Sequence, residues 1–153
     1  MSPSSQLIPF IKTWEGCKLT AYQDIAGVWT IGFGSTMYKS GARIKEGDEI
    51  TMQQAEELLM WELALKGLSV QAFTLNTNIN QNQFDALSDF AYNCGVGALE
   101  KSTLLKIIRL NPADPDIRAH FLEWKYVKKN GVKVISEWQV RRRTAEADLY
   151  FKS

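Results

Sequence analysis

Apolar residues recur at helical spacing along most of the chain, but this period is lost between residues 17 and 50. In that stretch, two short strand-like runs, residues 18–22 and 28–33, flank a turn that contains Gly27. Short runs of this kind, bounded by turn residues, are typical of paired strands. The pattern predicts an α+β fold, with a small N-terminal antiparallel sheet lobe and a larger helical lobe.

The segment 58–68 is apolar on nearly all sides, as in a helix that is buried on more than one face. Thr51, followed by Gln54, forms a capping box that begins this helix. The other predicted helices run from Ser4 or Ser5 to about Glu15–Gly16, from Asn80–Gln83 to Gly95, from Ser102 to Asn111–Pro112, and from Asp114–Pro115 through Trp124. A last helix runs from Ser136 to the C-terminal region, and Gln139 completes a capping box at its start. Residues 128–134 predict a hairpin turn or an irregular loop.

A length of 153 residues suits one domain. Its predicted parts are a sheet lobe at about 17–50, a linking helix at about 52–72, and a helical lobe at about 80–153 that includes an N-terminal helix at about 5–15. No apolar run reaches the ~20 residues of a membrane helix, and the N-terminus lacks the basic and apolar regions of a signal peptide. We therefore expect a monomer without membrane insertion.

Charge and side-chain chemistry narrow the classes of function. Residues 118–153 carry nine Lys and Arg against four acids, which suits an anionic polymer, either nucleic acid or bacterial cell wall, or else a solvated basic face. A single histidine, His120, excludes zinc amidases and zinc peptidases, which need several. We expect no metal and no cofactor. A Cys-His hydrolase remains open, with Cys17 or Cys94 as its nucleophile.

Two carboxylates and a hydroxyl lie close together in the N-terminal part. Glu15 ends the first predicted helix, Asp24 lies at the turn of the hairpin, and Thr30 lies on the returning strand. Glycosidic hydrolysis needs one carboxylic acid to protonate the leaving oxygen and a second, ionised carboxylate. A hydroxyl can orient water. From spacing alone, a helix-end acid and a turn-forming acid explain the same residues.

The stretch WEGCKLTAYQDIAGVWTIGFGST, residues 14–36, resembles the catalytic signature of the phage lysozymes, the endolysins of the T-even and lambdoid kind. Glu15, Asp24 and Thr30 match the family pattern E-x8-D-x5-T. Residues 82–105 and 141–149 are similar to two further family blocks, so the resemblance covers essentially the whole chain. It is closer to the lambdoid branch than to the T-even branch.

The resemblance implies hydrolysis of the β-1,4 bond between N-acetylmuramic acid and N-acetylglucosamine in peptidoglycan, with no role for nucleic acid. Glu15 is then the general acid, Asp24 the second carboxylate, and Thr30 the residue that places the attacking water. Asn93 matches a polar position that faces the sugar, and Arg142 matches an arginine that approaches the catalytic glutamate, with Arg141 as the next choice. The family's cleft lies between the two lobes. Because no signal or anchor is visible, we expect this protein to accumulate in the host cytoplasm and to reach the wall through a holin-type membrane lesion.

Two departures from the family pattern affect the surroundings of the site. Ser35 replaces a frequent histidine, which changes the local polar network, and Trp138–Gln139 replaces an expected Gly-Leu pair. His120 matches no catalytic position and is expected on a partly exposed helix. Two alternatives stay open: a lysozyme-like protein that binds wall glycan without cutting it, and a Cys-His peptidase that acts on the stem peptide.

Overall fold

The computed structural model describes all residues, 1–153, and the chain forms two compact units. The sheet unit comprises Ser4–Leu65, and the helical unit comprises Met1–Pro3 with Lys66–Ser153. The predicted α+β class is confirmed, because both units combine helices with a small antiparallel sheet. None of the helices is both long enough and apolar enough to cross a membrane.

The order of elements follows the sequence pattern closely. In chain order they are α1 (Leu7–Trp14), β1 (Lys18–Gln23), β2 (Trp29–Gly32), α2 (Met52–Phe73), α3 (Gln81–Cys94), α4 (Val96–Lys101), α5 (Thr103–Leu110), α6 (Ile117–Leu122), β3 (Tyr126–Lys129), β4 (Val132–Ile135) and α7 (Glu137–Tyr150). The short helix α4 was not predicted, because its six residues are too few to display a helical period and include Gly97.

The sheet unit is built on one hairpin. β1 and β2 are antiparallel, with Tyr22 opposite Thr30, and a bulge interrupts the pairing toward Lys18. Backbone bonds from Ala21 and Ile50 add the 48–50 segment beside β1. The core beneath consists of Ile31, Ile44 and Leu58, with Ala21, Trp29, Tyr38, Ile50 and Trp61 packed against them.

The first helix belongs to the sheet unit, whereas the sequence analysis grouped it with the helical lobe. Lys12 on α1 pairs with Glu56 on the first half of α2 at 2.6 Å, and both residues lie in the sheet unit. The amphipathic pattern showed that α1 buries one face through Leu7 and Ile11. A helical period cannot show which partner covers that face.

The helical unit has a continuous core in which α3 is the central element. Phe84, Leu87 and Phe90 are fully or nearly fully buried. The Phe90 ring meets the rings of Phe121 and Trp124 edge-on, at centroid distances of 6.0 and 5.2 Å. These edge-to-face contacts, together with the buried apolar area, hold α6 and the following loop against α3.

Side chains cap four helix starts, where a side-chain oxygen accepts the N–H of the residue three positions later. Thr51 and Gln54 form the capping box of α2, and Asn80 with Gln83 forms that of α3. Ser102 and Ser136 cap α5 and α7 through their hydroxyls, but the capping box predicted for Ser136 and Gln139 is incomplete, because Gln139 Oε1 accepts no hydrogen bond and the Ser136 N–H donates to the Lys125 carbonyl.

Two predicted helix starts were wrong. Helix α1 begins after Gln6 with no side-chain cap, because the carbonyls of Ser4 and Ser5 accept the first N–H bonds instead of their hydroxyls. Helix α6 begins after Asp116 rather than at Asp114. The Asp114 carboxylate accepts the N–H of Asp116, which forms a turn ahead of the helix.

Candidate active site

Glu15 is the residue at which α1 ends. Its N–H still donates to the carbonyl of Ile11 at 2.9 Å, but its φ of −100° and ψ of 131° are extended, so the chain leaves the helix here. The side chain is half-buried. It directly follows Trp14, whose ring meets that of Phe10 edge-on at 6.2 Å. The Glu15 side chain therefore projects from the point at which the chain leaves α1.

Asp24 begins the turn between β1 and β2. Its Oδ1 accepts the N–H groups of Ala26 and Val28, both at 2.9 Å, and its own N–H donates to the Val28 carbonyl. Gly27, with a φ of +77°, completes the turn in a conformation that suits glycine. These two backbone donors hold the Asp24 carboxylate in one orientation while engaging only one of its two oxygens.

Thr30 is linked to Asp24 through hydrogen bonds to the backbone of Val28. The hydroxyl of Thr30, in a side chain that is only 4% exposed, donates to the Val28 carbonyl at 2.9 Å. Because its proton is committed to that carbonyl, the hydroxyl oxygen can only accept a further bond, as from a water molecule. Val28 thus positions both side chains, since its N–H binds Asp24 and its carbonyl binds Thr30.

The structure places all three predicted residues of the signature in the sheet unit. Their arrangement supplies a half-buried carboxyl, an anchored carboxylate and an oriented hydroxyl acceptor. No group of His, Cys, Asp and Glu side chains in the chain could hold a metal ion. Two carboxyl groups and a hydroxyl in this arrangement can donate a proton, stabilise positive charge and position water.

Arg142, predicted as a site residue, is a fully buried residue of α7 in the helical unit. It makes a bidentate pair with Asp89 on α3, with Nε–Oδ2 and Nη2–Oδ1 distances of 3.0 and 2.8 Å. The Trp138 ring, one of the departures from the family pattern, lies 5.4 Å from its guanidinium. Such a fork-to-fork pair fixes the guanidinium plane.

Asn93, the other predicted binding residue, is held by Arg143. Nη2 of Arg143 donates to its Oδ1 at 2.8 Å, and Nη1 donates to Cys94 Sγ at 2.8 Å. Arg143 is fully buried and was missed by the sequence analysis. Three consecutive arginines gave no means of telling the two buried ones from the exposed Arg141.

Comparison with known proteins identifies the family of this fold and site. The family model of the phage lysozymes matches residues 12–146, a range that includes every residue described above as part of the site. The chain belongs to the phage lysozyme family. The prediction of a lysozyme-type hydrolase is thereby confirmed, and the resemblance drawn from the signature motif is correct.

Individual relatives agree with this family. An endolysin of Acyrthosiphon pisum secondary endosymbiont phage 1 is 38% identical over 98% of both chains. The solved endolysin of Escherichia coli O157:H7 phage FAHEc1 is 33% identical, with a TM-score of 0.87, covering 99% of this chain and 94% of its own. The muramidase domain of SpmX from Asticaccaulis excentricus is 28% identical, with the same TM-score over 99% of both chains.

Glu146 adds a further ionisable group to the buried cluster of this phage lysozyme. It is fully buried on α7, and its Oε1 lies 2.8 Å from Nη2 of Arg143, but neither of its oxygens accepts a well-directed hydrogen bond. Burial, followed by the negative charge of Asp89, raises the pKa of Glu146 well above its usual range, and the two arginines only partly offset this. Glu146 therefore retains its proton in the folded state at a pH where the unfolded chain has lost it.

This raised pKa makes the contribution of Glu146 to stability depend on pH. Since the folded state holds the proton more tightly, the stabilisation is fully present below the unfolded pKa of 4.5 and is lost as pH rises through the folded pKa. Glu146→Gln mimics the protonated form. We expect wild type to lose unfolding free energy relative to Glu146→Gln as pH rises from 4.5, measured by thermal unfolding of both proteins.

The exposed residue Glu137 provides the control for this prediction. Glu137→Gln makes the same chemical change at an exposed position of α7 and should leave the pH profile of wild type unchanged. If wild type instead gained stability over Glu146→Gln with rising pH, Glu146 would be an ionised partner of the arginines.

Proposed function

We propose that this phage lysozyme hydrolyses the β-1,4 bond between N-acetylmuramic acid and N-acetylglucosamine in bacterial peptidoglycan during host cell lysis. The observation that carries the proposal is the shared anchoring of Asp24 and Thr30 on the peptide groups of Val28, with Glu15 at the end of α1 in the same unit. The muramidase name of one structural relative supports this choice of bond.

In the proposed reaction, Glu15 donates its proton to the glycosidic oxygen as the bond breaks. Asp24 stays ionised and stabilises the positive charge that develops on the sugar ring. Thr30 accepts a hydrogen from the attacking water, a role left to it because its own proton is donated to Val28. Water then adds its oxygen to the anomeric carbon, and one of its protons leaves to solvent.

We propose that Asn93 contributes to substrate binding by contact, and that Arg143, which holds Asn93, and the fully buried Arg142 act as positioning residues. Because Asn93 Oδ1 accepts from Arg143 Nη2, its amide NH2 group is the part that can donate to a sugar. The rigid Asp89–Arg142 pair holds α7 against α3 beside it.

The prediction that the protein reaches the wall through a holin-type membrane lesion stays a proposal. So does the monomeric state. The endolysin names of the relatives support an action on the cell wall after phage growth.

Thiol chemistry separates the hydrolase from the alternative Cys-His peptidase. Burial raises the pKa of both thiols, Cys17 and Cys94, so each is a poor nucleophile, and His120 Nδ1 lies 2.9 Å from Glu123. We expect the double variant Cys17→Ser, Cys94→Ser to retain most of its lytic activity in a turbidity assay. A modest loss is allowed at position 94, where Arg143 donates to the sulfur.

The controls for this assay are single variants and a folding measurement. Cys17→Ser alone should keep its lytic activity, and only the variants that contain Cys94→Ser should show the modest loss. Complete inactivity of a folded double variant would instead support the peptidase. A folded wild-type protein that binds peptidoglycan but releases no soluble fragments would support the non-catalytic glycan-binding alternative.

The stereochemistry of the product tests the proposed mechanism directly. With Thr30 placing water, attack comes from the face opposite the leaving group, and the first product has the α configuration. Inversion requires Glu15 and Asp24 to lie about 6.5–9.5 Å apart, rather than the about 5–5.5 Å of retaining enzymes. Proton NMR of fresh muropeptide digests, read before mutarotation, is expected to show the α-anomer.

Variants of Thr30 provide the matched control for this step. Thr30→Val keeps the shape of the buried side chain but removes the hydroxyl, and it should slow turnover with less effect on substrate binding. Thr30→Ser keeps the hydroxyl and should retain most activity. An initial β-anomer, or a 1,6-anhydro product in mass spectra, would contradict inversion and point to retention or to lytic transglycosylation.

A further inference from the structure

The hairpin of β3 and β4 carries an uncompensated positive charge. Residues 125–135 contain four lysines and no acid: Lys125, Lys128, Lys129 and Lys133. None of the four forms an ion pair within the chain. We call this segment, residues 125–135, the basic hairpin. Its charge is part of the excess in the last third of the chain that the proposed hydrolytic residues do not use.

The register of the basic hairpin brings like charges together. Lys128 lies directly opposite Lys133, and like charges in this position destabilise a strand pair. The two strands form a sheet of their own, without a third strand, and such hairpins are only marginally stable in water. The repulsion falls when an external anion lies against this face.

The same hairpin exposes apolar side chains between its lysines. Ile135 and Tyr126, which share the face of Lys128 and Lys133, are 59% and 40% exposed, and Val132, which lies with Lys129 on the other face, is 62% exposed. Tyr126 lies under two ammonium groups, with Lys133 Nζ at 4.4 Å and Lys125 Nζ at 5.7 Å from its ring centroid. Basic and apolar side chains interleaved in this way match the interface of an anionic bilayer, where lysines reach the headgroups and apolar side chains enter the acyl boundary.

Two open cavities flank Tyr126 and extend this surface. One, of about 450 Å³, is lined in part by Lys101, Trp124 and Lys133, and the other, of about 440 Å³, by Lys125 and Lys133. Glu123 contributes a carboxylate to both cavities, so in each cavity two lysines outnumber a single acid. Each cavity thus presents ammonium groups that suit a phosphate headgroup.

We propose that the basic hairpin is a docking surface for an anionic phospholipid bilayer, to which the protein binds peripherally. A nucleic acid fits the surface less well. Its recognition favours arginine forks and stacking rings, whereas all four cations here are lysines and the exposed Val132 and Ile135 would gain nothing from a sugar-phosphate backbone. The surface includes none of Glu15, Asp24 and Thr30.

Vesicle co-sedimentation of the whole protein tests this proposal. Wild type should bind phosphatidylcholine vesicles that contain about a quarter phosphatidylglycerol, and should bind pure phosphatidylcholine far more weakly. Lys128→Gln with Lys133→Gln should weaken binding about 30-fold, as expected for the loss of two membrane-facing lysines. Val132→Ser with Ile135→Ser should weaken it too. About 0.5 M salt should release wild type, independently of any variant.

The matched control is Lys45→Gln with Lys106→Gln, which removes the same charge from exposed positions outside the basic hairpin. It should bind as wild type does. Equal binding by the two lysine double variants, or equal binding of wild type to both kinds of vesicle, would overturn the proposal. So would unchanged binding by the Val132, Ile135 variant together with equally tight binding of wild type to heparin, which would indicate a general polyanion surface.

The test is independent of the proposed hydrolysis. Folding of each variant is followed by thermal unfolding, and activity on solubilised peptidoglycan fragments is measured without vesicles. We expect the hairpin variants to keep that activity. Loss of vesicle binding with intact hydrolysis supports the docking surface, whereas an inactive protein that still binds vesicles through these lysines refutes only the proposed function.

Discussion

Replacing Glu15 with glutamine is expected to abolish lysis while the protein stays folded. An amide of the same shape cannot donate the proton that the leaving oxygen needs, and general acid catalysis is worth about 10²–10⁴-fold. Because Glu15 lies at the C-terminal end of α1 and is only half-buried, the substitution should cost little stability. Turbidity clearance of chloroform-treated Gram-negative cells and thermal unfolding, measured on the same samples, check both parts.

Two further carboxyl variants frame this result. Asp24→Asn should lose activity comparably through lost charge stabilisation, while its remaining oxygen can still accept the N–H groups of Ala26 and Val28. Glu46→Gln, at an exposed position of the same unit, should clear cells as wild type does. Clearance within a few-fold of wild type by folded Glu15→Gln would refute its role as the general acid.

The largest expected change in stability follows from Asp89→Asn. Asp89 and Arg142 are both fully buried and share a bidentate pair, and removing the Asp89 charge deprives the buried guanidinium of both of these charge-assisted bonds in a medium of low polarity. Breaking such a pair typically costs about 3–5 kcal/mol. Chemical denaturation at neutral pH should show a loss of this size in the free energy of unfolding.

The exposed pair of Asp148 and Arg118 provides a control for the cost of Asp89→Asn. Asp148 lies 2.6 Å from Arg118, but both side chains are largely exposed, so Asp148→Asn should cost at most about 1 kcal/mol. If Asp89→Asn were no more destabilising than Asp148→Asn, the buried arginine would have to be compensated by another group, and the central role assigned to Asp89 would be wrong.

Local signals explain how much could be predicted from the sequence. Capping at Thr51, Asn80 and Ser102 depends on residues three positions apart. The starts of α2, α3 and α5 could therefore be predicted without knowledge of the fold. The Asn130–Gly131 turn, with φ values of +50° and +77°, is equally local, and it turns an ambiguous segment into the β3–β4 hairpin. The family was predicted by the match of residues 14–36 to a known signature, because the spacing of Glu15, Asp24 and Thr30 alone is equally explained by a helix-end acid and a turn-forming acid.

Contacts between distant segments were decided only by the tertiary structure. The partner of Arg142 is Asp89, which lies 53 residues away, and no period or cap relates the two. The choice of which arginines of the run 141–143 become buried depends on how α7 packs against α3, and the protonation of Glu146 depends on the burial and the charges that result. Helix periodicity determined that α7 has a buried face, but the packing of two helices had to bring four charged side chains together before their pairing and titration had any physical cause.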